Sequence, residues 1–241
     1  RVVSICNVIG SSIARESDGV IYTHAGPEIG VASTKAFTSQ VAVLYLFAIC
    51  IGRIRRKILI PQALQMMDSI KVLSEKMLPI LESADKIKKI ANKFYNKRNF
   101  IYLGRGIGFA VALEGALKLK EISYIHAEGY HAGEMKHGPI ALIDKNMPVV
   151  VLVLKGRRYN KIINNIEEIK ARAGKVIAIA TEGDENIKKI ADHVIYIPEV
   201  DEFLSSILSV IPLQILSYYI AVKRGCNVDQ PRNLAKSVTV E

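Results

Sequence analysis

The chain is constrained most by an internal match at a constant spacing of 174 positions. Arg1-Val-Val-Ser-Ile-Cys-Asn7 recurs in character as Lys175-Val-Ile-Ala-Ile-Ala-Thr181, a basic residue followed by a largely β-branched apolar run. Such runs suit strands buried on both faces of a parallel sheet. At the same spacing Asp18-Gly-Val-Ile-Tyr22 maps onto Asp192-His-Val-Ile-Tyr196, and Gln40 onto Gln214, each glutamine followed by an apolar helical stretch. Three ungapped matches at one spacing predict two copies of one α/β unit. The second copy starts near Asn99, about 75 residues before Lys175, whereas nothing precedes Arg1. The expectation is therefore that roughly the first half of copy one is absent. The lack of an initiator Met and of a signal peptide leads to the further expectation of a fragment or a processed product.

Strands are predicted at 1–7, 20–23, 100–103, 148–154, 175–180 and 194–197. Helices are predicted at 11–18, with Ser11 or Ser12 as cap, and at 34–51, 106–125, 160–173, 185–191 and 203–223. Residues 61–96 read as one or two amphipathic helices with apolar Leu64, Met67, Ile70, Leu73 and Met77. The domain reading is 1–58 for the first unit, 59–97 for a helical connector, 98–228 for the second unit and 229–241 for a tail. Alternating β and α elements predict parallel sheets covered on both faces, with ligands at the carboxyl ends of the strands.

Composition removes several classes of function. The net charge is +10, but the densest basic runs, Arg53–Lys57 and Lys86–Lys89, carry no interleaved aromatics, so no nucleic-acid partner is expected. Cys6, Cys50 and Cys226 are too scattered for a zinc site or a disulfide framework and read as small core residues of a cytoplasmic protein. The longest apolar run, Val41 to Ile51, is too short to span a bilayer, so no membrane partner is expected.

The segment from Phe109 to Ile125 is the most informative. Glu114, Lys118 and Glu121 share one helical face, while Ala, Val, Leu and Ile occupy nearly every other position. A helix apolar almost all round should be buried, and three buried charges need partners. They form either a solvated ion-pair stripe or a carboxylate base held beside a cation, suited to moving a proton next to a sugar carbonyl. His126, His131 and His137 fit no metal-ligand spacing, and no metal or cofactor is expected. His137 precedes Gly-Pro, a loop signal that leaves it exposed and able to titrate near neutrality. The tail places Lys236 among few structure formers, where an exposed lysine without a role is the default. Gly26 to Thr34 is a Gly-containing loop before a helix, a weak signal for an anion or a sugar hydroxyl.

Three stretches, EIGVASTKAFTSQ (28–40), ALEGALKLKEISYIHAEGYHAGEMKHGP (112–139) and DQPRNLAKSVTVE (229–241), carry a resemblance to the glutamine–fructose-6-phosphate aminotransferase (isomerising) family, the glucosamine-6-phosphate synthases. The resemblance covers the whole chain. It implies two sugar isomerase (SIS) units of three-layer αβα build with parallel sheets, the first truncated at its N-terminus. It implies the isomerase part of an enzyme that converts fructose 6-phosphate and glutamine-derived ammonia to glucosamine 6-phosphate. Carried over by motif, Glu121 resembles the base that moves a proton between C1 and C2, with Lys118 and Glu114 as its supporting pair. His137 resembles the residue that opens the sugar ring, reaching in from the neighbouring subunit of a homodimer. Lys236 resembles the lysine that forms a Schiff base with the open-chain ketose, and Val31, Ala32, Ser33 and Ala235 resemble sugar contacts. The family's glutaminase domain, its CGTS loop and its SQSGET phosphate loop have no counterpart here; the place of the last in copy two reads Lys155-Gly-Arg-Arg-Tyr159.

Two other readings compete. A non-catalytic SIS sugar-phosphate-binding module would have no need of the Glu114, Lys118 and Glu121 face together with a tail lysine. A dinucleotide-binding oxidoreductase, prompted by Gly104-Arg-Gly-Ile-Gly108, lacks the acidic residue after the next strand, where Lys155 stands instead.

Overall fold

The computed structural model describes residues 1–235, which divide into a unit spanning Arg1–Leu73 and a second unit from Ser74 onward. In the first unit, β1 (Val3–Cys6) is followed by α1 (Ser12–Glu16), and Ser11 caps α1 by accepting a hydrogen bond from the Ala14 amide. β2 (Gly19–Tyr22) then pairs parallel to β1, with Val3 opposite Gly19 and Cys6 opposite Tyr22. α2 (Lys35–Ile54) and α3 (Ile60–Lys71) complete this unit.

The second unit opens with α4 (Leu73–Glu82) and α5 (Ala84–Phe94), so residues 60–94 hold three helices rather than one or two, and the division between units falls inside them. β3 (Asn99–Gly104), α6 (Ile107–Ser123) and β4 (His126–His131) come next. Two short 3-10 turns, Met135–His137 and Pro139–Leu142, lead to β5 (Pro148–Val153). The chain then runs through α7 (Tyr159–Lys170), β6 (Lys175–Thr181), α8 (Glu185–Ile190), β7 (His193–Ile197) and α9 (Ser205–Lys223).

These five strands form one parallel sheet in the order β4-β3-β5-β6-β7. Every residue of β5 is buried, as a central strand covered on both faces requires. Ile101, Leu103, Val149, Val151 and Val153 point into a core shared with Ile162, Ile166 and Ile169 of α7. The alternate residues face α6 and α9. There Gly115 lets α6 lie against Tyr102 and Leu213, since a methyl on it would come within 2.6 Å of the Leu213 side chain. The second unit is thus a three-layer αβα sandwich.

Four expectations change. β4 is a strand that the sequence pattern does not predict, because His-Ala-Glu-Gly-Tyr-His lacks the apolar signature of the other strands; it forms by pairing along the whole length of β3. The cysteines are not core residues: Cys6 and Cys226 are half-buried and Cys50 is exposed. α6 is not buried all round, since Leu113 and Leu117 lie on an exposed stripe. The bilayer-length argument does not hold either, because α2 and α9 are each long and apolar enough to cross a membrane by length and composition. α9 is largely buried in the second unit, whereas little of α2 is fully buried.

Candidate active site

Lys120 lies on the exposed stripe of α6, whereas Lys118 faces inward and is only 3% exposed. A lone buried ammonium would be costly, and two carboxylates of the same helix offset that cost. Lys118 Nζ lies 2.6 Å from Glu121 Oε2 and 3.4 Å from Glu114 Oε1. Both oxygens are buried, and Lys118 is the cation that faces them. Burial pushes the Glu114 carboxyl above its ordinary range; the Lys118 ammonium pulls it back and Glu121 pushes it up again. The side chain of Glu121 is the more accessible of the two carboxylates, 21% against 13%. This is a carboxylate at the edge of water, fixed from behind by a buried cation. The cluster is not a solvated stripe.

The start of α6 depends on its glycines. A methyl on Gly104 would come within 2.1 Å of the Gly108 carbonyl oxygen, so the β3–α6 turn is too tight for any side chain there. The strand order reverses between β3 and β5, which makes the loops after them the expected ligand crevice of such a sheet. Here Arg158 is paired with Glu202 at 3.2 Å and Lys155 with Glu199 at 2.7 Å, both near the surface, beside Arg105 and Arg157. A neighbouring cavity of about 250 Å³ is lined by Lys155, Tyr159, Thr181 and Asp184, and no member of the Lys118 cluster lines it.

The remaining sequence candidates are placed as follows. His137 ends the 3-10 turn Met135–His137 and is exposed, as its Gly-Pro sequel suggested. Val31, Ala32 and Ser33 are half-buried in the bend before α2, in the first unit. Ala235 is exposed, and Lys236 lies outside the described residues. Among the described residues no group of three or more His, Cys, Asp or Glu side chains could hold a metal ion.

Sequence reasoning missed Asn7. Its Oδ1 accepts from the Thr23 hydroxyl at 3.0 Å and the Ala25 amide at 2.9 Å, and its Nδ2 donates to the Gly26 carbonyl at 2.8 Å. One side chain therefore fixes the start of the loop that leads to Val31–Ser33. The signal was present, since an Asn just after a strand is placed to tie the neighbouring loop, but a single Asn is too common to single out.

The SIS domain family matches residues 1–50 and 93–224. The glutamine–fructose-6-phosphate aminotransferase (isomerizing) of Chlorobaculum tepidum is 57% identical over 240 residues, covering 100% of this chain and 39% of that protein. A counterpart from Thermus thermophilus is 54% identical over 241 residues, covering 100% of this chain and 40% of the relative. The solved C-terminal domain of glucosamine-fructose-6-phosphate aminotransferase from Francisella tularensis superposes with a TM-score of 0.90 at 41% identity, over 95% of this chain and 64% of that one. The chain thus spans about 40% of the length of these curated relatives.

Proposed function

The chain belongs to the SIS domain family, and from that premise we propose that it is the isomerase part of a glucosamine-6-phosphate synthase. In this reading it acts on fructose 6-phosphate, accepts ammonia released from glutamine by a glutaminase domain of the whole protein, and yields glucosamine 6-phosphate. The observation that carries the proposal is the buried Lys118 held between Glu114 and Glu121 on α6, in a chain 57% identical to a relative of that name.

The chemistry follows from the charges. The Lys236 amine condenses with the C2 carbonyl of the open-chain ketose, and the resulting imine makes C2 more electrophilic and the C1 protons more acidic. Condensation releases the carbonyl oxygen as water; ammonia then adds to C2 and displaces the Lys236 amine, leaving the C2 imine of the sugar, and Glu121 moves a proton from C1 to C2, its carboxylate oriented by Lys118. Glu114 holds Lys118 from its other side. His137, exposed and next to a Gly-Pro turn, serves ring opening in the partner subunit of a homodimer. Val31, Ala32, Ser33 and Ala235 contact the sugar. The strand pairs β1–β2 and β6–β7 share one register at a spacing of 174 positions, which supports reading them as two copies of one unit. The family match reaches residue 50 and so takes in most of α2, which supports reading that helix as part of an SIS unit in a cytoplasmic protein and not as a membrane span.

The test is Lys236→Arg in the whole protein, with glucosamine 6-phosphate formation as readout. Near-complete loss of turnover with the fold retained is expected. Turnover at the unaltered rate would overturn the Schiff-base assignment.

A further inference from the structure

Tyr124 follows the last turn of α6 with φ 60° and ψ 20°, in the left-handed region. Its amide donates to the Lys120 carbonyl and closes the helix. Glycine makes this cap without a steric penalty, so a bulky aromatic here is disfavoured unless its side chain has another task. That task is visible. The Tyr124 hydroxyl accepts a hydrogen bond from the Arg232 backbone amide at 2.8 Å, and the Arg232 guanidinium lies over the Tyr124 ring, 4.2 Å from its centroid. Other bonds bring the chain to this point. Arg224 donates to the Ser123 and Tyr95 carbonyls, each at 2.9 Å, and Asn227 Oδ1 accepts from the Asp229 and Gln230 amides. Pro231 is buried just before the clamp. The segment after α9 is thus laid against the end of α6 and held there at two points of one side chain.

The location matters because of what lies on either side. Glu121 is three positions before Tyr124 on the same helix, and Lys236 is four positions after Arg232. Four residues of covalent chain reach at most about 14 Å. We infer that Tyr124 is a positioning residue: it clamps the chain at Arg232 to the end of α6 and so limits the tether on which the Lys236 amine acts to four residues. This rests on the proposed Schiff-base role of Lys236. Without the clamp, the lysine has to find its place from a longer and freer tether, and its effective concentration at the sugar carbonyl drops.

The test compares Tyr124→Phe and Tyr124→Gly in the whole protein with two readouts. One is hydrogen exchange at the Arg232 amide. The other is the rate at which fructose 6-phosphate is fixed to Lys236 by cyanoborohydride, read by mass spectrometry. Both variants are expected to exchange the Arg232 amide about tenfold faster. Tyr124→Gly is expected to match or exceed the parent in thermal stability, because glycine suits the cap, while trapping at Lys236 falls about tenfold. Tyr124→Phe, which keeps the ring under Arg232, is expected to fall in between. A residue that only caps the helix would leave trapping at Lys236 unchanged in Tyr124→Gly. An adduct that forms as fast in Tyr124→Gly as in the parent overturns the inference alone. Absence of any adduct at Lys236 in the parent overturns the Schiff-base reading and takes the inference with it.

Discussion

Lys118 and Glu121 form a buried ion pair one helical turn long, with Nζ 2.6 Å from Oε2 and the lysine all but removed from water. Replacing Lys118 with Met keeps the stem and deletes the charge, which leaves two carboxylates facing one another across an apolar pocket. The expected cost is roughly 2 kcal/mol near neutral pH, less than for a fully buried pair because both carboxylates keep some contact with water. The deficit should shrink as the medium is acidified and the carboxylates take up protons. Urea unfolding of Lys118→Met and the parent across that range checks both the size and the trend.

Glu114 gives a prediction of its own. Burial, set against the pull of Lys118 and the push of Glu121, leaves its folded-state carboxyl above the ordinary value of 4.5. The folded protein therefore holds this proton more tightly than the unfolded chain does. The resulting stabilisation is present below 4.5 and is lost as pH rises through the raised folded value. Glu114→Gln removes this dependence, so its stability should fall less than the parent's between about pH 4 and neutrality. Parallel slopes in the two proteins would show that Glu114 titrates normally.

Asp192 is expected to behave in the opposite sense. Burial disfavours its charge, but hydrogen bonds from Lys170, the Val176 amide and Lys175 outweigh that and hold the carboxyl below its ordinary range. Its contribution is then present above 3.8 and is lost as pH falls through the lowered folded value. Asp192→Ala should cost about 1–3 kcal/mol near neutrality. Asp18 accepts from the Val2 amide at 2.7 Å in the equivalent register, but it is exposed, so Asp18→Ala should cost clearly less. Chemical denaturation of the two variants side by side measures the difference.

Gly104 and Gly115 separate two kinds of crowding. A methyl at Gly115 meets the tip of Leu213 and the edge of the Tyr102 ring, which can shift, so Gly115→Ala should cost about 1–3 kcal/mol. A methyl at Gly104 meets the backbone of Gly108 and Phe109, which cannot move without displacing the start of α6. Gly104→Ala should therefore be the more damaging, with loss of soluble folded protein or a larger drop in Tm. Circular dichroism melts of the two variants rank them.

Much of this molecule is legible in its sequence. The runs at 148–154 and 175–180 are β-branched and apolar because both faces of a parallel strand are covered, and the spacing of 174 positions reappears in the pairing of Val3 with Gly19 and of Ile177 with His193. The shared face of Glu114, Lys118 and Glu121 follows from helical periodicity alone. What the sequence hid depends on partners distant along the chain. β4 carries no strand signal and exists because β3 offers it a full edge. Cys50 reads as a core residue in an apolar run, and only the exposed surface of α2 shows otherwise. Whether Lys118 was a wet ion-pair stripe or a desolvated cation could be decided only by what packs around α6. The same holds for Tyr124, whose partner Arg232 is 108 residues away. Local periodicity fixes which side chains share a face; the packing of distant segments fixes which face is dry, and desolvation is what gives a charged side chain its chemistry.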